Sequence, residues 1–225
     1  MGQLVNGVWT KGSVSNNQKD GSFKRVDSVF RNVISFNDQV YKPETNRYHL
    51  YVSYACPWAH RTLIFRHLKK LENHISVDYV HPDMLENGWS FLKTFPKTTG
   101  DSLHDKKYIH EIYQISDKKV SSKATVPILW DKKTDTIVNN ESAEIIRIMN
   151  SAFNDITKNY DDYYPSSLRI EIDKINKVIY ENINNGVYKS GFSRTQEAYE
   201  DAVTKLFSSL EMIDEILEDK EYLVG

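Results

Sequence analysis

The chain reads as an α/β domain followed by an all-helical part, and three observations predict it. A strand-like run, a proline-led helical segment and a second strand follow one another over residues 48–80. Two more strand-like runs, over 125–130 and 136–138, flank a short turn. From Leu168 onward apolar residues can be followed at steps of three and four, the helical period.

Taken in order, residues 1–46 are rich in Gly, Ser, Asn and Asp, with weak periodicity. They read as an N-terminal extension wrapping a folded body, with short order around Phe23 to Ile34. Tyr48 to Tyr54 is dense in aromatic and β-branched residues and reads as a strand. Pro57 suits the first helical position, where its missing N–H costs nothing. Ala59, Leu63, Ile64, Leu68 and Leu71 continue an apolar helical face. Ile75 to Val80 is the next strand, and a strand–helix–strand crossover of this kind is parallel and right-handed. Pro82 to Ser122 is a long polar stretch broken by Gly88, Pro96 and Gly100, with ordered pieces expected at Trp89 to Phe91 and Tyr108 to Ile115. Thr125 to Trp130 and Thr136 to Val138 form a hairpin about the Asp131 to Asp135 turn. Asn140 is the expected cap of a helix whose apolar face is Ile145, Ile148 and Met149. After a linker over 155–165, Leu168, Ile172, Ile175, Ile179 and Ile183 mark one helix, with Gly186 as its expected stop. Val203, Leu206, Leu210, Ile213 and Leu217 mark another, so the two read as an antiparallel pair in a bundle. Two such helices cannot both cover each other and dock on a sheet, so further helices are expected beyond Gly225. The expected domains are 47–155 and a partial helical domain over 156–225.

The 225 residues suffice for a sizeable core. Hydrophobic residues make up 40% and charged residues 27%, with a net charge of -2, so no electrostatic footprint for nucleic acid or an anionic membrane is expected. The apolar runs are far short of a bilayer span, and residues 1–19 lack the apolar core of a secretory signal. A single cysteine excludes an internal disulfide and, with the rest, points to a reducing compartment, the cytoplasm. The histidines show no metal-binding spacing, and no metal is expected.

That single cysteine, Cys56, stands between a strand and a proline-led helix. A lone cysteine is most often a small buried hydrophobe, but here helix N–H dipoles aim at the sulfur. They favour the thiolate by ~0.3–1 kcal/mol or more when sheltered. Ala59 stands where a C-x-x-C pair would have its second cysteine. Cys56 therefore has no internal resolving partner, and an external thiol must complete any disulfide chemistry. Val126-Pro127 reads either as a strand bend or as a cis peptide presenting the Val126 backbone to a ligand, and the Cys-Pro helix start favours the second. Glu141-Ser142 reads as an ordinary cap, or as a clamp in which the hydroxyl and helix N-terminus take a carboxylate and Glu141 takes an ammonium, as the γ-glutamyl end of glutathione would require. The segment from Asn184 to Phe192 is either a plain loop or one that presents Tyr188 to a substrate oxygen.

The order strand, Cys-Pro helix, strand, Val-Pro, Glu-Ser helix and helical part resembles a glutathione transferase. Arg47 to Ile64, Thr125 to Asp131, Ile137 to Ile146 and Asn185 to Phe192 narrow the resemblance to the xi class, the S-glutathionyl-hydroquinone reductases with their fungal omega-like members. Phe30-Arg31 and Gly88 to Phe91 are similar to that class as well. The resemblance implies a thioredoxin-like α/β domain and an all-α glutathione-transferase C-terminal domain, partial in this chain, since the family continues past Leu223-Val224-Gly225. It implies Cys56 as the catalytic cysteine, and glutathione contacts at Trp89, Val126, Glu141, Ser142 and Lys123, where the family usually has Arg. Tyr188 resembles a tyrosine lining the aromatic-substrate pocket. The implied reaction is glutathione-dependent removal of glutathione from glutathionylated aromatic molecules, in a homodimer when full length. Two other readings stand beside it: an omega-type thioltransferase or dehydroascorbate reductase, and a non-catalytic binding module with the transferase fold.

Overall fold

The computed structural model describes residues 2–12 and 18–225. The described residues form two compact units, 2–12 with 28–163 and 18–27 with 164–225. Residues of the expected 1–46 extension therefore divide between both.

The first unit opens with a two-stranded hairpin not foreseen in the sequence, β1 (Gln3–Val5) and β2 (Val8–Thr10). Its main sheet has four strands: β3 (Tyr48–Val52), β4 (Ile75–Tyr79), β5 (Ile128–Asp131) and β6 (Thr136–Asn139), in the order β4-β3-β5-β6. The helix α1 (Pro57–Leu68) carries the chain from β3 to β4, and these strands pair in parallel as expected of a crossover. β5 is antiparallel to both β3 and β6, so β3, β4 and β6 share one direction.

The pairing Tyr51↔Ile128 marks where β5 begins beside the end of β3. Thr125 to Pro127 stay outside the ladder, because proline has no N–H to give it. Every residue of β3 is buried. Alternate side chains face opposite ways. Tyr48 meets Phe153 edge-on, while Tyr51 meets Phe91 and bonds Asp101 and His104. The long 82–122 segment contains α2 (Ile109–Ser116), which packs on β6. A further helix, α3 (Ser142–Ser151), packs on α1, and the short α4 (Asn154–Thr157) follows. Ile64 and Leu68, expected on the buried face of α1, are exposed, while Ala59 and Thr62 are fully buried. Thr62 fills an apolar face because its hydroxyl bonds the Ala59 carbonyl at 2.7 Å.

Part of the arm runs beside β6. The Asn32 N–H donates to the Val138 carbonyl and the Asn140 N–H to the Phe30 carbonyl, about an Arg31↔Asn139 bridge. An otherwise open sheet edge is thereby covered.

In the second unit α5 (Arg169–Val178) runs into a π-helical turn over Ile179–Asn184, then α6 (Gly186–Phe192) and α7 (Gln196–Leu217). Gly186 does not stop a helix. It is absent from the left-handed glycines, so it lacks the conformation that ends a helix, and it begins α6 packed near Leu206 instead. The arm segment 18–27 lies on these helices. The Arg194 N–H bonds the Gly21 carbonyl, and a Cβ at Gly21 would come 2.6 Å from Thr195. Among the described residues, no helix is long and apolar enough to cross a membrane.

The environment of Asp78 in β4 predicts an acid-dependent loss of stability. Asp78 is buried, and burial alone would raise its pKa. The pull of His49, whose Nε2 lies 3.3 Å away and off the hydrogen-bond axis, and the Ser102 N–H and hydroxyl at 2.7 Å each outweigh that effect. They hold the carboxyl at about 2, against an ordinary 3.8. A depressed pKa stabilises the fold above the ordinary value, and that stability is lost as pH falls through the folded one. Urea unfolding between pH 5 and pH 2 is expected to show roughly 2 kcal/mol of loss from this group. Asp78→Asn should flatten that part of the profile, and an unchanged slope in the variant would count against the assignment.

Candidate active site

Because β3 and β6 run the same way and β5 the other, three chain segments meet at one end of the sheet. The end of β3 leads into Cys56, the start of β5 is preceded by Val126, and the end of β6 leads into Glu141. Ligands of α/β sheets bind at such strand ends.

Cys56 is the N-cap of α1, with extended backbone at φ -101 and ψ 110 and Pro57 in the first turn. Its side chain makes no capping hydrogen bond to the helix. Its Sγ donates to the Val126 carbonyl at 3.4 Å. The Val126-Pro127 bond is cis, as the favoured sequence reading expected. The thiol is 7% exposed, sheltered enough for the helix N-terminus to act on it.

The second helix start is built differently. Glu141, not Asn140, is the N-cap of α3, and its Oε1 accepts from the Ala143 N–H at 3.2 Å. Asn140 is committed elsewhere: its Oδ1 accepts from the Phe30 N–H and its Nδ2 donates to the Tyr113 hydroxyl at 2.9 Å. Oε2 of Glu141 accepts from the Ser28 hydroxyl of the arm at 3.1 Å. Ser142 is buried, and its hydroxyl accepts from Arg61.

Tyr113 of α2 ties the two halves together. Its hydroxyl, fully buried, accepts from the Thr125 N–H at 3.2 Å and from Asn140, and bonds the Thr125 carbonyl at 3.1 Å. One side chain thus fixes the residue before Val126 and the residue before Glu141. Burial raises its pKa, and the Thr125 and Asn140 bonds only partly offset that, so the phenol stays neutral.

The structure brings Cys56 to Val126 and places Glu141 with Ser142 at the same sheet end. Trp89 is buried in the core of this unit, its carbonyl accepting from the Ile109 N–H. Lys123 lies three residues before Val126, and burial lowers its pKa. Tyr188 belongs to the other unit, on α6, where the Arg25 guanidinium lies 4.5 Å from its ring. Asn184 to Phe192 is therefore helical rather than a loop. Among the described residues, no three His, Cys, Asp or Glu side chains converge as a metal site would require. Sequence reading missed Ser28, Arg61 and Tyr113. Arg61 lay within the motif already in view, whereas nothing local marks a serine or a tyrosine that acts across the fold.

A family model described as glutathione S-transferase, N-terminal domain, matches residues 55–152. Glutathionyl-hydroquinone reductase YqjG of Escherichia coli K12 is 49% identical to the chain over 232 residues, covering 100% of this chain and 71% of that protein. Among solved structures, the glutathione-S-transferase Xi of Phanerochaete chrysosporium superposes with a TM-score of 0.89 at 50% identity, covering 93% of this chain and 68% of the other.

The chain belongs to the xi-class glutathione transferases.

A glutathione-bound structure of E. coli YqjG matches this xi-class chain with a TM-score of 0.88 at 47% identity, over 100% of this chain and 69% of the other. The first unit is thus the thioredoxin-like domain of a glutathione transferase, and helices of the transferase C-terminal part follow it.

The Tyr113 hub yields a direct test. Tyr113→Phe leaves the part-buried Thr125 N–H and the buried Asn140 amide short of a partner, at a cost of about 1–3 kcal/mol in urea unfolding. The same variant should bind glutathione more weakly by titration calorimetry, since the segments leading into Val126 and Glu141 lose their shared anchor. Wild-type affinity in a measurably destabilised variant would show that these segments are held some other way.

Proposed function

We propose that this chain is a reductase that removes glutathione from glutathionyl-hydroquinones, using Cys56 as a monothiol nucleophile. The observation that carries the reading is Cys56 at the start of α1, its sulfur 3.4 Å from the Val126 carbonyl, in a chain 49% identical to a glutathionyl-hydroquinone reductase.

The Cys56 thiolate attacks the sulfur of the glutathionyl-hydroquinone. A sulfur–sulfur bond forms to glutathione and the sulfur–aryl bond breaks, its electron pair leaving with the ring as a stabilised carbanion that takes up a proton. A second glutathione, as its thiolate, then attacks the glutathionyl sulfur of that mixed disulfide, forming oxidised glutathione and expelling the Cys56 thiolate. The net reaction consumes one glutathione and yields hydroquinone and oxidised glutathione. In the same proposal the Val126 backbone pairs with the cysteinyl part of glutathione, and Trp89 and Lys123 contact the tripeptide. The α-ammonium of the γ-glutamyl group goes to Glu141. Its α-carboxylate goes to the Ser142 hydroxyl and the first N–H groups of α3. Tyr188 is assigned to the aromatic pocket, as the proton donor to the ring, on the family resemblance. A homodimer and a cytoplasmic setting belong to the proposal too, the second supported by a lone thiol that needs reduced glutathione.

An omega-type thioltransferase is the second reading, favoured by the 49% identity to glutathione S-transferase omega-like 2 of Schizosaccharomyces pombe, over 92% of this chain and 68% of that protein. Turnover of glutathionyl-hydroquinone and of dehydroascorbate, measured side by side, separates the two. The proposal expects the first substrate to be strongly preferred and Cys56→Ser to abolish its turnover. Full turnover by Cys56→Ser would refute the nucleophile, and preference for dehydroascorbate would favour the second reading.

A further inference from the structure

The clamp at the start of α3 has a third member. Arg61 stands in the second turn of α1 and reaches across to α3. Its Nε and Nη2 both donate to Ser142 Oγ, at 3.0 and 2.7 Å. Nη2 also lies 3.7 Å from Glu141 Oε1. The guanidinium sits 5.2 Å from the Trp58 ring, which restricts its plane. The Arg61 side chain is 27% exposed, and Ser142 is 3% exposed.

A serine hydroxyl has one proton and two lone pairs. With both lone pairs facing N–H groups of Arg61, the proton has one direction left, away from the guanidinium. Among the described residues, that hydroxyl donates to no side chain or carbonyl. A bare helix N-terminus accepts any anion, and a freely rotating hydroxyl can donate or accept. A hydroxyl held as an obligate donor, with a fixed positive charge behind it, selects a carboxylate. The same charge lies beside Glu141 and keeps that carboxylate from repelling the incoming one.

The geometry points to Arg61 as a positioning residue for the α-carboxylate of glutathione. It acts through Ser142 Oγ, turning the hydroxyl proton toward the ligand, and it supplies the countercharge behind that bond. The inference rests on the proposed placement of the γ-glutamyl group at Glu141 and Ser142, and its test separates the two.

The probes are glutathione and γ-aminobutyryl-cysteinyl-glycine, which keeps the amine and lacks the α-carboxylate. Both are titrated by calorimetry into the full chain, into Arg61→Met, into Ser142→Ala and into the double variant. Arg61→Met is expected to weaken glutathione by about tenfold and to leave the analogue within about twofold. In the Ser142→Ala background the Arg61 change should cost glutathione little more, because the two residues act as one unit. Equal losses for both ligands, or additive losses in the double variant, would overturn the role of Arg61. If the unaltered chain binds both probes equally, the placement of the γ-glutamyl group falls instead. Should Arg61→Met fail to melt cooperatively, Arg61→Lys serves in its place, since it keeps the charge and loses the fork. Its preference for glutathione over the analogue should shrink, and an unchanged preference would also overturn the inference.

Discussion

The antiparallel pairing of β3 with β5, in the register Tyr51↔Ile128, sets where everything else in the first unit must go. β3 is buried along its whole length, so a slip of one residue would turn every side chain to the wrong face. In the observed register the chain leaving β3 and the chain entering β5 meet at one sheet end. The Cys56 sulfur then stands within reach of the Val126 carbonyl. The second antiparallel pairing, β5 with β6, brings Glu141 and Ser142 to that same end. Two helices begin there, and their N–H groups supply positive potential.

These helix starts are used in opposite ways. At α1 the capping position holds a residue whose side chain does not cap, its sulfur donating to the Val126 carbonyl instead. At α3 the cap is made, by Glu141, and the arm adds Ser28 to the same carboxylate. A reactive group needs a shelter and a field; a recognition group needs a fixed geometry. Tyr113 joins the two through bonds to Thr125 and Asn140, so the residues before Val126 and before Glu141 are set by one side chain. Such a buried network is worth having only when its members are satisfied together.

Much of this was legible in the sequence, because it is local. Pro57 marks the helix start behind Cys56, the missing second cysteine at Ala59 dictates an external thiol, and the β5–β6 hairpin follows from its own turn. What stayed hidden depends on distant partners. Asn140 has the composition of a cap, yet its amide is used by Phe30 and Tyr113, elements far away in the chain. Ile64 and Leu68 fit a helical stripe, but the buried face of α1 runs through Ala59 and Thr62, where packing against α3 demands small side chains. Gly186 looked like a stop and begins a helix, because backbone conformation and the approach of Leu206 decide that position rather than residue type. The hairpin at Gln3–Thr10 escaped notice since its strands are three residues each, too short for a periodic signal.

In the proposed reaction glutathione leaves its aromatic partner for the Cys56 sulfur. Mixing the chain with excess glutathionyl-hydroquinone and no free glutathione, then weighing the intact protein and its peptides, measures that step alone. One glutathione per chain is expected, attached at Cys56 and removable by a reductant, with free hydroquinone released in equal amount. Release of hydroquinone with no adduct, or an adduct carrying the aromatic ring, would contradict it.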